Sequence, residues 1–219
     1  MMPARLEDGS SSVEIDKEQY LRLRQYVEPV FLGIEQDDSE DARLKPEGFY
    51  RGYSHVTWKM IAEGGIAIVP EHFENWKKEL EEQYSKSGTP RLRLYYRRGM
   101  GGTTSLRMLA FAMHEKYPTI IVHSYTQGGT ADEIAKLYAL CNMPPIIFID
   151  ANQLYNEEVI KLREELKIRT FSFAMVWLIG YTEHPPRGEL QSLNMFPEKD
   201  KENMFEALRK HICSPKELE

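Results

Sequence analysis

The stretch Tyr96-Arg97-Arg98-Gly99-Met100-Gly101-Gly102-Thr103-Thr104 holds the residues of this chain best suited to chemistry. Glycines at 99, 101 and 102 let the backbone turn several N–H groups toward one centre, and such a concavity accepts oxyanions. A helix that opens directly after the turn adds partial positive charge at the same place. Thr103 and Thr104 then carry hydroxyls on its first turn. The order follows the Walker A phosphate loop, G-x-x-x-x-G-K-[ST], with two departures. Tyr96 stands at the first glycine and Gly102 at the lysine, while Thr103 keeps the position of the magnesium-binding hydroxyl. The bland alternative is a glycine turn before a helix.

The lysine of that pattern reaches the terminal phosphates, so its loss removes a fixed charge from the reacting end of a nucleotide. Arg97, Arg98 and Arg107 are the neighbouring cations able to compensate. If the rest of the site is intact, restoring the lysine by Gly102→Lys is expected to raise affinity, and turnover less. A second half of the pattern lies downstream. Pro145-Ile146-Ile147-Phe148-Ile149-Asp150 is an apolar run ending in an acid, as in a Walker B strand, and an aspartate there can hold a magnesium-bound water near Thr103. An ordinary buried strand with a turn residue at its end is the competing reading. Ala151 stands where hydrolysing relatives of this pattern often carry a water-orienting glutamate, which points to weak or absent hydrolysis.

These residues need strands and helices in alternation to bring them together. Leu92–Tyr96 reads as a strand, and Thr103–Lys116 as a helix with Leu106, Leu109, Ala110 and Met113 on one face. Thr119–His123 is a second strand. Thr130 with Glu133 is a capping box for a helix carrying Ile134, Leu137, Tyr138 and Cys141. Ile146–Asp150 has the continuous apolar pattern of a strand covered on both faces. Asn156–Lys167 is a helix, Phe171–Tyr181 holds a strand, Glu189–Leu193 adds another, and a last helix presents Phe205, Leu208 and Ile212. Such alternation predicts an α/β fold: a three-layer, P-loop NTPase-like parallel sheet with helices on both faces. Upstream, residues 1–13 read as a disordered lead, Asp16 with Gln19 caps a helix through Tyr20 and Tyr26, and residues 36–47 form an acidic linker. Residues 66–69 are a strand candidate, followed by Pro70 and a helix with Phe73, Trp76, Leu80 and Tyr84 on its face. The expected organisation is residues 1–47 as tail, helix and linker, 48–90 as an aromatic lead-in and helix, 91–213 as the core, and 214–219 as a tail.

The totals are those of a soluble globular domain. Of 219 residues, 42% are apolar and 28% charged, and the formal charge is −6. An acidic domain is poorly built to grip nucleic-acid backbones. Only Cys141 and Cys213 occur, with no metal spacing and no disulfide framework, which suits the cytoplasm. No apolar run reaches the roughly 18 residues of a membrane helix. The histidines at 55, 72, 114, 123, 184 and 211 make no close ligand pair. Ser105 has no base partner in a nucleophile setting, Cys141 reads as core, and Trp58, Trp76 and Trp177 read as packing residues.

The run Arg98-Gly99-Met100-Gly101-Gly102-Thr103-Thr104 resembles the P-G-x-G-G-T-T loop of the sterile-alpha-motif-domain-containing protein 9 family, including its glycine in place of lysine. Phe49-Tyr50-Arg51-Gly52 with Trp58 is similar to that family's aromatic lead-in, and Leu190, Leu193, Pro197 and Phe205 are similar to its later leucine and phenylalanine stretch. The likeness spans roughly residues 48–212. Arg98 replaces the family's usual proline, and Arg187 is a displaced candidate for an arginine expected after Tyr181. No sterile-alpha-motif or effector segment is apparent in the 219 residues, so a lone NTPase module or short relative is expected. The resemblance implies a signal-transducing type of NTPase with an antiviral, innate-immune setting. The combined expectation is a regulatory or scaffold module that binds ATP or GTP with Mg2+, engages protein partners or itself, and avoids membranes and nucleic acid. Arg98, Gly99, Met100, Gly101, Gly102, Thr103 and Thr104 would hold the nucleotide, and Thr103 with Asp150 the metal. The rivals are a working ATPase or GTPase that uses an arginine for the missing lysine, and a nucleotide-free interaction domain.

Overall fold

The computed structural model describes residues 1–6, 9, 11–36, 56–63, 72–86, 89, 91–97 and 101–181. Its strands are β1 (Met2–Pro3), β2 (Ser12–Val13), β3 (Val27–Val30), β4 (Arg91–Arg97), β5 (Thr119–Val122), β6 (Ile146–Asp150) and β7 (Ala174–Tyr181). Its helices are α1 (Lys17–Leu23), α2 (Trp58–Ala62), α3 (Phe73–Ser85), α4 (Gly102–Met113), α5 (Gly129–Cys141) and α6 (Asn156–Ile168). Strands β3 to β7 make one sheet in the order β3-β5-β6-β7-β4. The β5-β6, β6-β7 and β7-β4 pairs are parallel, and β3 alone runs antiparallel, along β5.

Two apolar layers sandwich that sheet. On one face α3 and α4 bury Trp76, Leu80, Leu106 and Leu109 against Leu94, Phe148 and Val176. On the other, α5 and α6 bury Ile134, Leu137, Leu162 and Leu166 against Ile120, Ile147 and Met175. All five residues of β6 are buried, as a strand covered on both faces requires. The result is a three-layer α/β architecture, a mostly parallel sheet with helices on both faces. Trp58 and Trp76 are core residues, and Cys141 is fully buried in the core, where burial pushes its thiol up to about 12.

Several local expectations are corrected. Residues 1–6 are docked rather than a disordered lead. Met2 is fully buried, and the Arg5 N–H bonds the Cys141 carbonyl at the end of α5. Asp16 does cap α1 through the Gln19 N–H at 2.9 Å, but the helix stops at Leu23 and the chain becomes β3. Pro29 fits there because proline gives no ladder donor and is tolerated on edge strands. Thr130 with Glu133 is not a capping box. Helix α5 starts two residues earlier, after Gly128 at φ 76°, and Glu165 of α6 accepts from the Gly128 N–H at 3.1 and 3.2 Å. Thr130 instead takes the Thr126 N–H on its hydroxyl. The strand expected at 66–69, Pro70, the linker after Gln36, residues 49–55, Arg187, the strand at 189–193 and the last helix lie outside the described residues.

Candidate phosphate-binding site

The site forms where β4 and β6 end and α4 begins. Leu92, Leu94 and Tyr96 of β4 are buried, which fixes the strand's exit point. The chain then enters α4 through Gly101 at φ 73°, a left-handed conformation that costs glycine little and other residues more. Leu106, Leu109, Ala110 and Met113 seat α4 on the sheet, as their spacing predicts. Its first N–H groups have no acceptor within the helix, so they and the helix dipole face the turn. Ser105 is accounted for locally, with both its N–H and its hydroxyl on the Gly101 carbonyl.

Thr103 and Asp150 meet across 47 positions of sequence: the Thr103 hydroxyl donates to Asp150 Oδ2 at 2.6 Å. Asp150 is 2% exposed, and its Oδ1 accepts the Asn152 N–H at 2.9 Å. A hydroxyl has one proton and two lone pairs. With the proton committed to Asp150, the lone pairs of Thr103 remain for a cation, and Thr103 is exposed to receive one. Hard cations take oxygen ligands, and magnesium keeps several waters, so one hydroxyl backed by one carboxylate fits it. No group of three His, Cys, Asp or Glu side chains occurs among the described residues to hold a metal without such help. Thr104 is half-buried beside Thr103. Arg98, Gly99 and Met100 lie outside the described residues, as does the side chain of Arg97.

Arg107 does not compensate for the missing lysine. Its guanidinium makes a bidentate pair with Glu28 of β3 at 2.8 and 2.9 Å and lies over the Trp58 ring, 4.1 Å from the centroid. Trp58 Nε1 donates to the same carboxylate at 2.9 Å. Burial works to raise the Glu28 pKa, but Arg107 and the Trp58 hydrogen bond outweigh it and hold the carboxyl below its ordinary value. A depressed carboxyl stabilises the fold above its unfolded pKa and loses that contribution as pH falls toward the folded value. Thermal melts should therefore drop below about pH 4.3. Glu28→Gln should flatten that limb and cost about 1–2 kcal/mol at pH 7, allowing for the exposed third of the side chain. Equal acid limbs in parent and variant would show that Glu28 carries none of it.

Two contributors escaped the sequence reading. Asn152, two residues past Asp150, donates its Nδ2 to the Tyr96 hydroxyl at 2.5 Å. Gly180, opposite Tyr96 in the β4-β7 register, lies against that hydroxyl. The tyrosine at the first-glycine position was the available signal, since a bulky residue there needs space made elsewhere.

No family model matches the chain, and no curated protein matches it. Among solved structures it is similar to C. elegans PCH-2, at 14% identity and a TM-score of 0.38, over 57% of this chain and 41% of that one. It is similar to the FIGL-1 AAA domain solved with ADP, at 14% identity and a TM-score of 0.33, over 93% and 62% of the two chains. A structure described as the basis of katanin self-assembly shows 14% identity and a TM-score of 0.30, over 92% and 59%. The chain thus spans between 41% and 62% of the length of these proteins. At such scores the likeness says nothing about ligand or activity. Among the described residues no helix is long and apolar enough to cross a membrane.

Proposed function

We propose that this chain is a nucleotide-binding regulatory or scaffold module of the signal-transducing NTPase type, with weak or absent hydrolysis. The observation that carries the proposal is the Thr103–Asp150 hydrogen bond at the head of a helix entered through a left-handed glycine. Gly99, Met100, Gly101 and Gly102 would wrap the phosphates of ATP or GTP with backbone N–H groups, and Arg98 and Thr104 would add side-chain donors. Thr103 Oγ1, and a water held by Asp150, would coordinate Mg2+, whose charge offsets that of the phosphates. The resemblance to the sterile-alpha-motif-domain-containing protein 9 family supports a cytoplasmic, innate-immune role with protein partners or self-association. The rival ATPase that replaces the lysine with an arginine loses Arg107 as its candidate, because Glu28 already holds it.

Calorimetry of the purified chain with ATP and GTP, with and without magnesium, is the direct test. Millimolar or tighter binding is expected, and no heat at millimolar nucleotide would refute the proposal. Gly101→Val should lose most of that binding. A β-branched residue at φ 73° is strained by about 1–3 kcal/mol, and relief of the strain turns the loop N–H groups away from the phosphates. Binding by Gly101→Val equal to that of the parent would remove the loop from the site.

A further inference from the structure

The lysine-free loop has a structural cause. Tyr96 lies one residue before the end of β4, beside β7, and its ring passes beneath the first turn of α4. A Cβ on residue 102 would lie 2.5 Å from Tyr96 Cγ, closer than side chains tolerate. That atom is the root of the ring, so it cannot yield without rotating the whole side chain, which is 4% exposed. At the other end, a Cβ on residue 180 would lie 3.1 Å from the Tyr96 hydroxyl. Asn152 then holds the same hydroxyl by a hydrogen bond. Two glycines make the slot, the ring fills it, and an amide from the turn after Asp150 fixes its tip.

We infer that Tyr96 is the specificity-determining residue of this site: it excludes a lysine at 102 and leaves a phosphate site that separates nucleoside triphosphates only weakly from diphosphates. The inference rests on the nucleotide-binding reading above and deepens it. A phenol is neutral at pH 7, so nothing at 96 or 102 supplies the cation that normally meets the terminal phosphate. Arg107, the helix cation nearest in sequence, is committed to Glu28. The added charge of a third phosphate therefore meets no cation from positions 96, 102 or 107, and of the loop's proposed side-chain donors only Arg98 is charged. The expectation that Gly102→Lys alone raises affinity is corrected accordingly: it drives a side chain into the Tyr96 ring.

Two measurements test this. The first needs no ligand. Gly102→Ala should lower the melting temperature by about 5 °C in the parent, as overpacking of a filled slot does. It should lower it far less in a Tyr96→Gly background, and equal losses in both backgrounds would overturn the steric pairing. The second is calorimetry with ADP, ATP, GDP and GTP in magnesium. The parent should prefer triphosphate by less than about tenfold, and Tyr96→Gly/Gly102→Lys should raise that preference by about tenfold, the worth of one charge-assisted contact. A hundredfold preference in the parent, or a folded double variant with an unchanged ratio, would overturn the ligand assignment. If the parent binds no nucleotide, the proposed function and the ligand preference both fall, and the melting cycle still decides the Tyr96–Gly102 pair.

Discussion

Thr103→Ala should remove the magnesium-dependent part of nucleotide binding, and Asp150→Asn should remove most of it. The two residues share one hydrogen bond of 2.6 Å but fill different roles. Thr103 presents the oxygen that would touch the cation. Asp150 orients that oxygen and holds outer-shell water, and loss of such a supporting group commonly weakens metal-linked binding by about 10–100-fold. Thr103→Ala should cost at least as much, because the direct ligand is gone. Asp150→Asn is the informative partner. Asparagine keeps the shape and still offers an oxygen to the Asn152 N–H, so the turn after β6 should survive. A fall in magnesium-dependent affinity with an unchanged melting temperature is the expected pattern for Asp150→Asn. Titrations of nucleotide at fixed and at zero magnesium measure it. If both variants bind the magnesium–nucleotide complex as the parent does, the pair is a structural clamp and no metal site.

The unmodified chain, without a partner, should release phosphate at well below about one per second, under the range of ordinary enzymes. Two groups that stabilise transfer are missing. Gly102 stands at the lysine position with the Tyr96 ring against it, and Ala151 stands where a glutamate would orient water. The Ala151 N–H is spent on the Leu178 carbonyl, which binds the turn to β7. Removal of one preorganised charge from a reaction centre commonly costs about 10²–10³ in rate. The cation available on α4 does not repair this, because Arg107 is bidentate to Glu28. An arginine supplied by a partner chain can be worth about 10³–10⁵, so any substantial rate is expected only in an assembly. A steady-state phosphate-release assay on the parent and on Thr103→Ala separates the readings. Turnover above about ten per second that vanishes in Thr103→Ala would show a competent enzyme of ordinary speed and sink the regulatory reading.

The core strands and helices were legible because their apolar spacing was strong. Leu106, Leu109, Ala110 and Met113 mark one face of a helix, and the run from Ile146 to Ile149 marks a strand buried on both sides; the strand forms over the residues expected, and the helix starts one residue early and ends at Met113, three residues short of Lys116. Thr103 and Asp150 were legible for a related reason. Each sits at the end of such an element, so the alternation of strand and helix brings them to the same edge of the sheet. The start of α5 carries no local signal because the Gly128 N–H that precedes it is held by Glu165, 37 positions away. Strand β3 was missed because four residues containing proline carry no periodicity, and its place is set by pairing with β5 and by the Glu28–Arg107 contact.

Sequence by itself therefore determined the layered α/β fold and the approach of Asp150 to Thr103, since each follows from local spacing and chain order. Only the tertiary structure decided what replaces the lysine and where the arginine goes. Gly102 read alone is a deletion of charge; beside Tyr96, Gly180 and Asn152 it is the space that a ring requires. Arg107 read alone is a spare cation next to a phosphate loop; beside Glu28 and Trp58 it is a fastening between helix and edge strand. Both outcomes turn on contacts between residues distant in sequence, where excluded volume and charge pairing act through space and leave no trace in local spacing.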